Sequence, residues 1–180
     1  MKKSVIVSLL GLAVLAPPLL SQGLKGHDAN APVDVDADRI EVQDRDDRAI
    51  FVGNVRVRQE GLSLNAARLT VAYNKVNGGS PQIERLDAQG GVSVVSATET
   101  AHSDVAIYDL NHKLITMIGS VDLQQGGNSV KGARLLIDLN SGRSVIDGSA
   151  VGASTSDEGV SQPTSTGRVT GHFTVPQRKP

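Results

Sequence analysis

The chain contains no cysteine and no tryptophan. Without thiols it can hold neither a disulfide nor a thiolate-bound zinc, so stability has to come from backbone pairing and burial. Aromatic residues are nearly absent too. Phe51, Tyr73, Tyr108 and Phe173 are the whole set, too few to stack on the bases of a nucleic acid. Nor does one sign of charge dominate: eighteen Lys and Arg stand against nineteen Asp and Glu. Setting aside Lys2 and Lys3 leaves a mildly acidic remainder without the basic footprint that a nucleic-acid partner needs, and nucleic acid is excluded as a partner. A long apolar run is also missing. The run from Val5 to Ala16 falls well short of the roughly 20 residues that span a bilayer.

That short run is nevertheless informative. "MKKSVIVSLLGLAVLAPPLLSQG" has two lysines, an apolar stretch, a double proline and then small or polar residues, the layout of a secretory signal peptide over residues 1–23. Cleavage is expected near Ser21 to Gly23; the alternative is a retained anchor. No cysteine follows the run, which argues against a lipoprotein anchor. Residues 24–32 read as a flexible lead-in, and the remaining length fits one domain.

The same phrase recurs along the rest of the chain. "GNVRVRQEGLSLNAARL" (Gly53 to Leu69) is echoed by "GSVDLQQGGNSVKGARL" (Gly119 to Leu135). Four segments alternate apolar with polar or small residues: "ADRIEV" (Ala37 to Val42), "AARLTV" (Ala66 to Val71), "HSDVAI" (His102 to Ile107) and "GARLLI" (Gly132 to Ile137). Three are preceded by similar runs that start on a glycine, at Gly53, Gly90 and Gly119. Period-two alternation is the signature of a half-buried strand, and "QEG", "SATET" and "QQGGN" between the runs have the composition of hairpin turns. No segment from Val33 to Ile146 carries the three-and-four spacing of a helix, so the chain reads as all-β. Taking Arg39, Arg68, Asp104 and Arg134 as equivalent gives spacings of 29, 36 and 30 residues, with one turn-rich insertion at Asn74 to Gln82. Such a period signals stacked strand pairs, none of which can bury its apolar face alone.

Parity predicts which side chains face inward. On the glycine-led strands these are Phe51, Val55, Val57, Ala88, Val92, Val94, Ile115, Met117, Val121 and Leu123. On the strands that follow they are Ile40, Val42, Leu69, Val71, Tyr73, Val105, Ile107, Leu135, Ile137 and Leu139. Arg56, Arg58, Ser93, Asp122 and Gln124 fall on the solvent side. The stripe is an ordinary core or, because it is aliphatic and carries a recurring glycine that leaves space or permits a bulge, the lining of a lipid groove.

These residues, and the link "Y-D-x-x-x-x-x-I-T-x-x-G-x-V" from Tyr108 to Val121, resemble the LptA/OstA-like family of periplasmic lipopolysaccharide transport proteins over Val33 to Asp147. The resemblance implies an open, twisted antiparallel β-jellyroll over residues 33–148 whose interior holds the lipid A acyl chains of lipopolysaccharide. It also implies contact with similar domains in inner-membrane and outer-membrane partners, with an ATP-powered inner-membrane partner supplying direction. Head-to-tail self-association would use edge strands at Val33 and Val35 on one side and Ser144, Val145 and Ile146 on the other. The tail, residues 149–180, is rich in Ser, Thr and Gly; "RVTGHFTV" (Arg168 to Val175) alternates weakly and is left open as a docking strand.

Catalytic and metal-binding patterns do not emerge. "DVDAD" (Asp34 to Asp38) begins like a calcium loop, but Arg39 and Arg45 stand where glycine and glutamate are required. His102, Ser103 and Asp104 are contiguous, which on a strand turns Ser103 away from the other two and rules out a relay. The four histidines show no ligand spacing. Arg39, Arg68 and Arg134 read as strand-edge solvation or as contacts to lipid phosphate. The expected function is therefore a carrier that is not an enzyme and needs no cofactor. An acyl chain gains about 0.8 kcal/mol per buried methylene without any placed polar group. The alternatives are an adaptor module that binds no lipid and a membrane-anchored component of the same pathway.

Overall fold

The computed structural model describes residues 27–75, 81–149 and 167–174. Every element in them is a strand: β1 (Asp34–Asp36), β2 (Arg39–Gln43), β3 (Arg48–Gln59), β4 (Leu62–Asn74), β5 (Gln82–Ser96), β6 (Glu99–Asp109), β7 (Leu114–Gln125), β8 (Asn128–Asp138), β9 (Arg143–Asp147) and β10 (Thr170–His172). All pair antiparallel in one sheet. β3 to β8 follow each other in chain order, β1 and β2 both pair with β3, and β9 and β10 both pair with β8. The protein is the all-β, open antiparallel stack that its alternation predicts.

Each long strand is broken at the middle. Register slips between Val52 and Val55 on β3, Gln89 and Val92 on β5, and Ile118 and Val121 on β7. At each slip two successive residues take positive φ: Gly53 and Asn54 (84° and 46°), Gly90 and Gly91 (85° and 66°), Gly119 and Ser120 (81° and 45°). Such bulges bend a strand sharply. Repeated in register across the sheet, they fold it into two leaves. The first contains β2, β9 and the arms beside them, such as Arg48–Val52 and Arg134–Asp138; the second contains β1, β10 and the other arms. The inward stripes meet between the leaves. Leu69, Leu86, Ile115, Met117, Leu135 and Ile137 of the first leaf and Val55, Val92 and Val121 of the second are all under 2% exposed and belong to one core.

The corners explain the repeat better than the apolar stripe does. A side chain on Gly53 would strike the Asp38 carboxylate, and one on Gly119 the Asp104 carboxylate, so each glycine serves both its φ and the close approach of the neighbouring strand. Asp38 Oδ2 accepts from Asn54 Nδ2 at 2.8 Å, and Asp104 Oδ2 from Ser120 Oγ at 3.3 Å. At the middle corner Ala67 takes the aspartate's place against Gly90, and the partner position is Gly91. Acceptor and donor therefore occur together or not at all.

This pairing corrects the alignment of the third repeat. Asp104 is equivalent to Asp38 and Ala67, not to Arg39 and Arg68. Ala37, Ala66, Ser103 and Gly132 then head the four segments at spacings of 29, 37 and 29 residues. Val105 and Ile107, expected inside, lie on the outer face, and Ala106 and Tyr108 point in. The physical reason is the bulge. The glycine strand holds one more residue than its partner across the corner, so its alternation runs through while the partner's slips by one.

A second departure is at the far end. β9 leaves the sheet at Gly148, and the edge resumes at Gly167, whose backbone lies against that of Gly148. β10 then pairs Thr170 with Lys131, Gly171 with Val130 and His172 with Ser129. "GRVTG" at Gly167 repeats the form of "GNVRV" and "GSVDL". The open question about the tail resolves as a docked strand of three residues, completing the edge that β9 begins.

Candidate functional site

The candidate site is the space between the leaves. Of the residues expected to line it, Val55, Val57, Leu69, Val71, Val92, Val94, Met117, Val121, Leu135 and Ile137 are buried there. Phe51, Leu123 and Leu139, with Val33, Val35 and Ile146 of the edges, are partly buried and packed on the same cluster. Tyr73 is half-buried at the end of β4, and Ser144 and Val145 are half-buried on β9.

Ile40 and Val42 need correction. They sit opposite Phe51 and Ala49, so their parity is right. Yet they are 56% and 60% exposed, because β2 is an edge and nothing beyond it covers them. Parity assigns a face, whereas burial also needs a neighbour. At the other edge Val169 is exposed as well, and Phe173, 64% exposed, folds its ring over Gly171. Each end of the interior thus presents apolar side chains to solvent.

Ile115 and Ala88, also expected inside, are fully buried. Leu62, Leu64, Leu86, Ala101 and Ala106 also line the space; the same alternation would have found them once the corners were placed. Buried polar residues were not anticipated. Gln59 ends the second-leaf arm of β3 and is 4% exposed. Its Nε2 donates to the carbonyls of Ala29 (3.2 Å) and Ala31 (2.8 Å), and its Oε1 accepts from Tyr108 Oη of the first leaf at 2.9 Å. Both donor hydrogens and the oxygen of the amide have a partner, which makes its burial tolerable. Burial pushes the Tyr108 hydroxyl up to about 12. Beside this pair, a small gap in the packing is lined by Val33, Val57, Leu62, Leu64 and Leu86.

The outer face is polar and ion-paired. Arg39 meets Glu41 at 3.3 Å, Arg58 meets Asp36 at 2.8 Å, and Arg134 binds Asp147 Oδ2 through Nε (3.0 Å) and Nη2 (2.6 Å). Of the three arginines in one repeat slot, two are therefore engaged by carboxylates and Arg68 stays exposed. A shallow outer cleft of about 620 Å³ is lined by Arg48, Thr70, Arg85 and Asp87 together with the displaced Val105 and Ile107. Among the described residues no three acidic or histidine side chains come together as a metal site. Ser103 is buried and donates to the Val105 carbonyl, while His102 and Asp104 face solvent.

Two bulged leaves closed over an aliphatic interior, with edges left open, define the class as an open antiparallel β-jellyroll. Residues 34–143 match the family described as LptA/(LptD N-terminal domain) LPS transport protein, and the chain belongs to that family. It is 31% identical over 147 residues to an uncharacterized protein of Rhizobium meliloti (strain 1021), covering 78% of each chain. Its fold matches the crystal structure of LptH, the LptA homologous periplasmic component of the lipopolysaccharide transport device of Pseudomonas aeruginosa. That match has a TM-score of 0.66 at 18% identity and covers 82% of this chain and 99% of that one.

Proposed function

We propose that the protein is a periplasmic carrier, released by cleavage of residues 1–23, that shields the acyl chains of lipopolysaccharide between its leaves on the way to the outer membrane. The observation that carries this reading is the single aliphatic core shared by both leaves, with apolar side chains left exposed at each end. Such an interior needs no cofactor and no catalytic group, and a lipid in it gains free energy simply in proportion to the apolar area removed from water.

The two edges fit each other. At the amino-terminal edge β2 has five residues on the first leaf and β1 three on the second; at the carboxy-terminal edge β9 has five on the first leaf and β10 three on the second. β9 and β10 run opposite to β1 and β2, so a second domain placed end to end continues the antiparallel order leaf on leaf. Asp34, Asp36 and Glu41 on one edge meet Arg143, Arg168 and His172 on the other. Unpaired ladder groups of this kind recruit another strand. We infer head-to-tail contact, with further copies and with like-folded domains of inner- and outer-membrane partners. The interior would then be continuous across each junction.

Photo-crosslinking residues placed at Val71, Met117 and Ile137 are expected to capture lipopolysaccharide in envelopes. The same probe at Arg56, Asp122 and Ile107, all on the outer face, is expected not to. Equal capture on both faces overturns the carrier reading and leaves the adaptor alternative.

A further inference from the structure

Gln59 and Tyr108 occupy a special place in the bend. The corners hold the two leaves together along one side, at Gly53–Asn54 and Asp104 for these two strands. The strand tips form the other side, where nothing in the chain trace of the described residues joins one leaf to the other. Gln59 is the last residue of β3 before its tip, and Tyr108 the last but one of β6 before its own. Their 2.9 Å hydrogen bond therefore crosses the interior far from the corners.

The bond is backed by a strap. Residues 28–33 pass over the tip of β3 and are tied down by the Gln59 amide at Ala29 and Ala31 and by His27 Nδ1, 2.7 Å from the Glu60 carbonyl. His27 Nε2 comes within 3.5 Å of Tyr108 Oη. Val33, where the strap becomes β1, walls the small gap beside the pair. That gap is the place where close packing of the two stripes already gives way. It is aliphatic except for Gln59 and Tyr108.

We infer that the Gln59–Tyr108 bond, with the strap 28–33 over it, is a latch that closes the interior on its tip side, and that an acyl chain enters at the gap by breaking it. The inference rests on the carrier reading above. The core is too closely packed to admit a chain as it stands, because its central side chains are under 2% exposed. Admission requires the leaves to part, and they can part only where the corners do not hold them. A neutral hydrogen bond is a suitable latch. It is strong enough to keep an empty interior shut, and weak enough for a few buried methylenes to outweigh it. Once open, both groups can bond to water at the mouth, which keeps the cost of separating them small.

The test uses dansyl-undecanoic acid as probe and stopped-flow fluorescence as readout. Tyr108→Phe keeps the ring and removes only the hydroxyl; it is expected to take up the probe about fivefold faster than the unaltered protein, with a small change in final occupancy. An unchanged or slower rate overturns the latch. If the unaltered protein takes up no probe at all, the carrier reading fails and the latch with it, which separates the two failures. A second measurement does not depend on that substitution folding. With no tryptophan in the chain, Tyr73→Phe leaves Tyr108 as the single emitter. Acrylamide is expected to quench it poorly in the empty protein and at least twice as strongly after loading with dodecanoic acid. Tyr108 emission that stays shielded in the loaded protein also overturns the proposal.

Discussion

The two ends of the sheet are built from the same parts in different states of completion. At the amino-terminal end the chain runs without interruption through strap, β1, the Asp38 corner and β2, and the strap is pinned to a buried amide. At the carboxy-terminal end β9 stops at the corner, Gly167 lies against Gly148 where the edge is taken up again, and β10 is exposed at all three residues. One edge is anchored in the core and the other is laid on from outside. A strand resting on three residue pairs with no buried side chain has little to hold it beyond its ladder.

The largest expected effect tests that contrast directly. Leu69 is fully buried on the second strand in from the amino-terminal edge, and Leu69→Ala is expected to destabilise by about 3 kcal/mol through lost burial and the cavity left behind. Val169→Ala, at the corresponding inward stripe of the resumed edge, is expected to cost less than about 0.5 kcal/mol because the side chain is already half in water. Urea unfolding of both measures the difference. Similar losses would mean that β10 belongs to the cooperative core.

A smaller effect is expected from pH, again at one end only. Burial holds the proton of Tyr108 up to about 12 in the folded protein, against about 10 for an unperturbed tyrosine. Its contribution is therefore whole below pH 10 and is lost as pH rises through the folded value, since the unfolded chain releases the proton earlier. The difference corresponds to about 2.7 kcal/mol at most. Unfolding followed from pH 9 upward is expected to show the unaltered protein losing stability relative to Tyr108→Phe. Parallel curves would show that Tyr108 is not held in its buried position.

The strands, their antiparallel stacking and most of the inward stripe were legible because period-two alternation is a local signal that survives wherever a strand has one buried face. What alternation cannot carry is a change of phase. Val105 and Ile107 are as apolar as Leu69 and Val71, so setting Asp104 in the arginine slot placed them inside. Only the Asp104–Ser120 and Asp38–Asn54 contacts, sixteen residues apart in each case, fix where the phase slips. Gln59 was not legible at all. A glutamine at a hairpin reads as solvent, and its burial depends on a tyrosine 49 residues on and on a strap with no alternation of its own. β10 was left open for another reason: a strand of three residues is shorter than any pattern can certify.

The smallest effect on stability should be the most telling for assembly. Deleting residues 167–180 removes β10, whose three pairs with β8 bury no side chain, and is expected to lower stability by less than about 1 kcal/mol. Association is another matter. With β10 in place, the carboxy-terminal edge offers five residues on one leaf and three on the other, the same as the edge it is proposed to meet; without it the second leaf of an incoming domain has no strand to pair with. A ladder shortened in this way loses two or three hydrogen bonds of modest net worth, so self-association is expected to weaken about fivefold. Analytical ultracentrifugation over a concentration series reads this out. Heterologous contacts that do not close on themselves should give sizes that grow with concentration and do not stop at a dimer. Unchanged association after truncation would assign the contact to β9 alone, a result Val145→Pro would then abolish by removing a ladder donor. Tighter association would reverse the role of β10, from half of the docking edge to a cover that a partner strand has to displace.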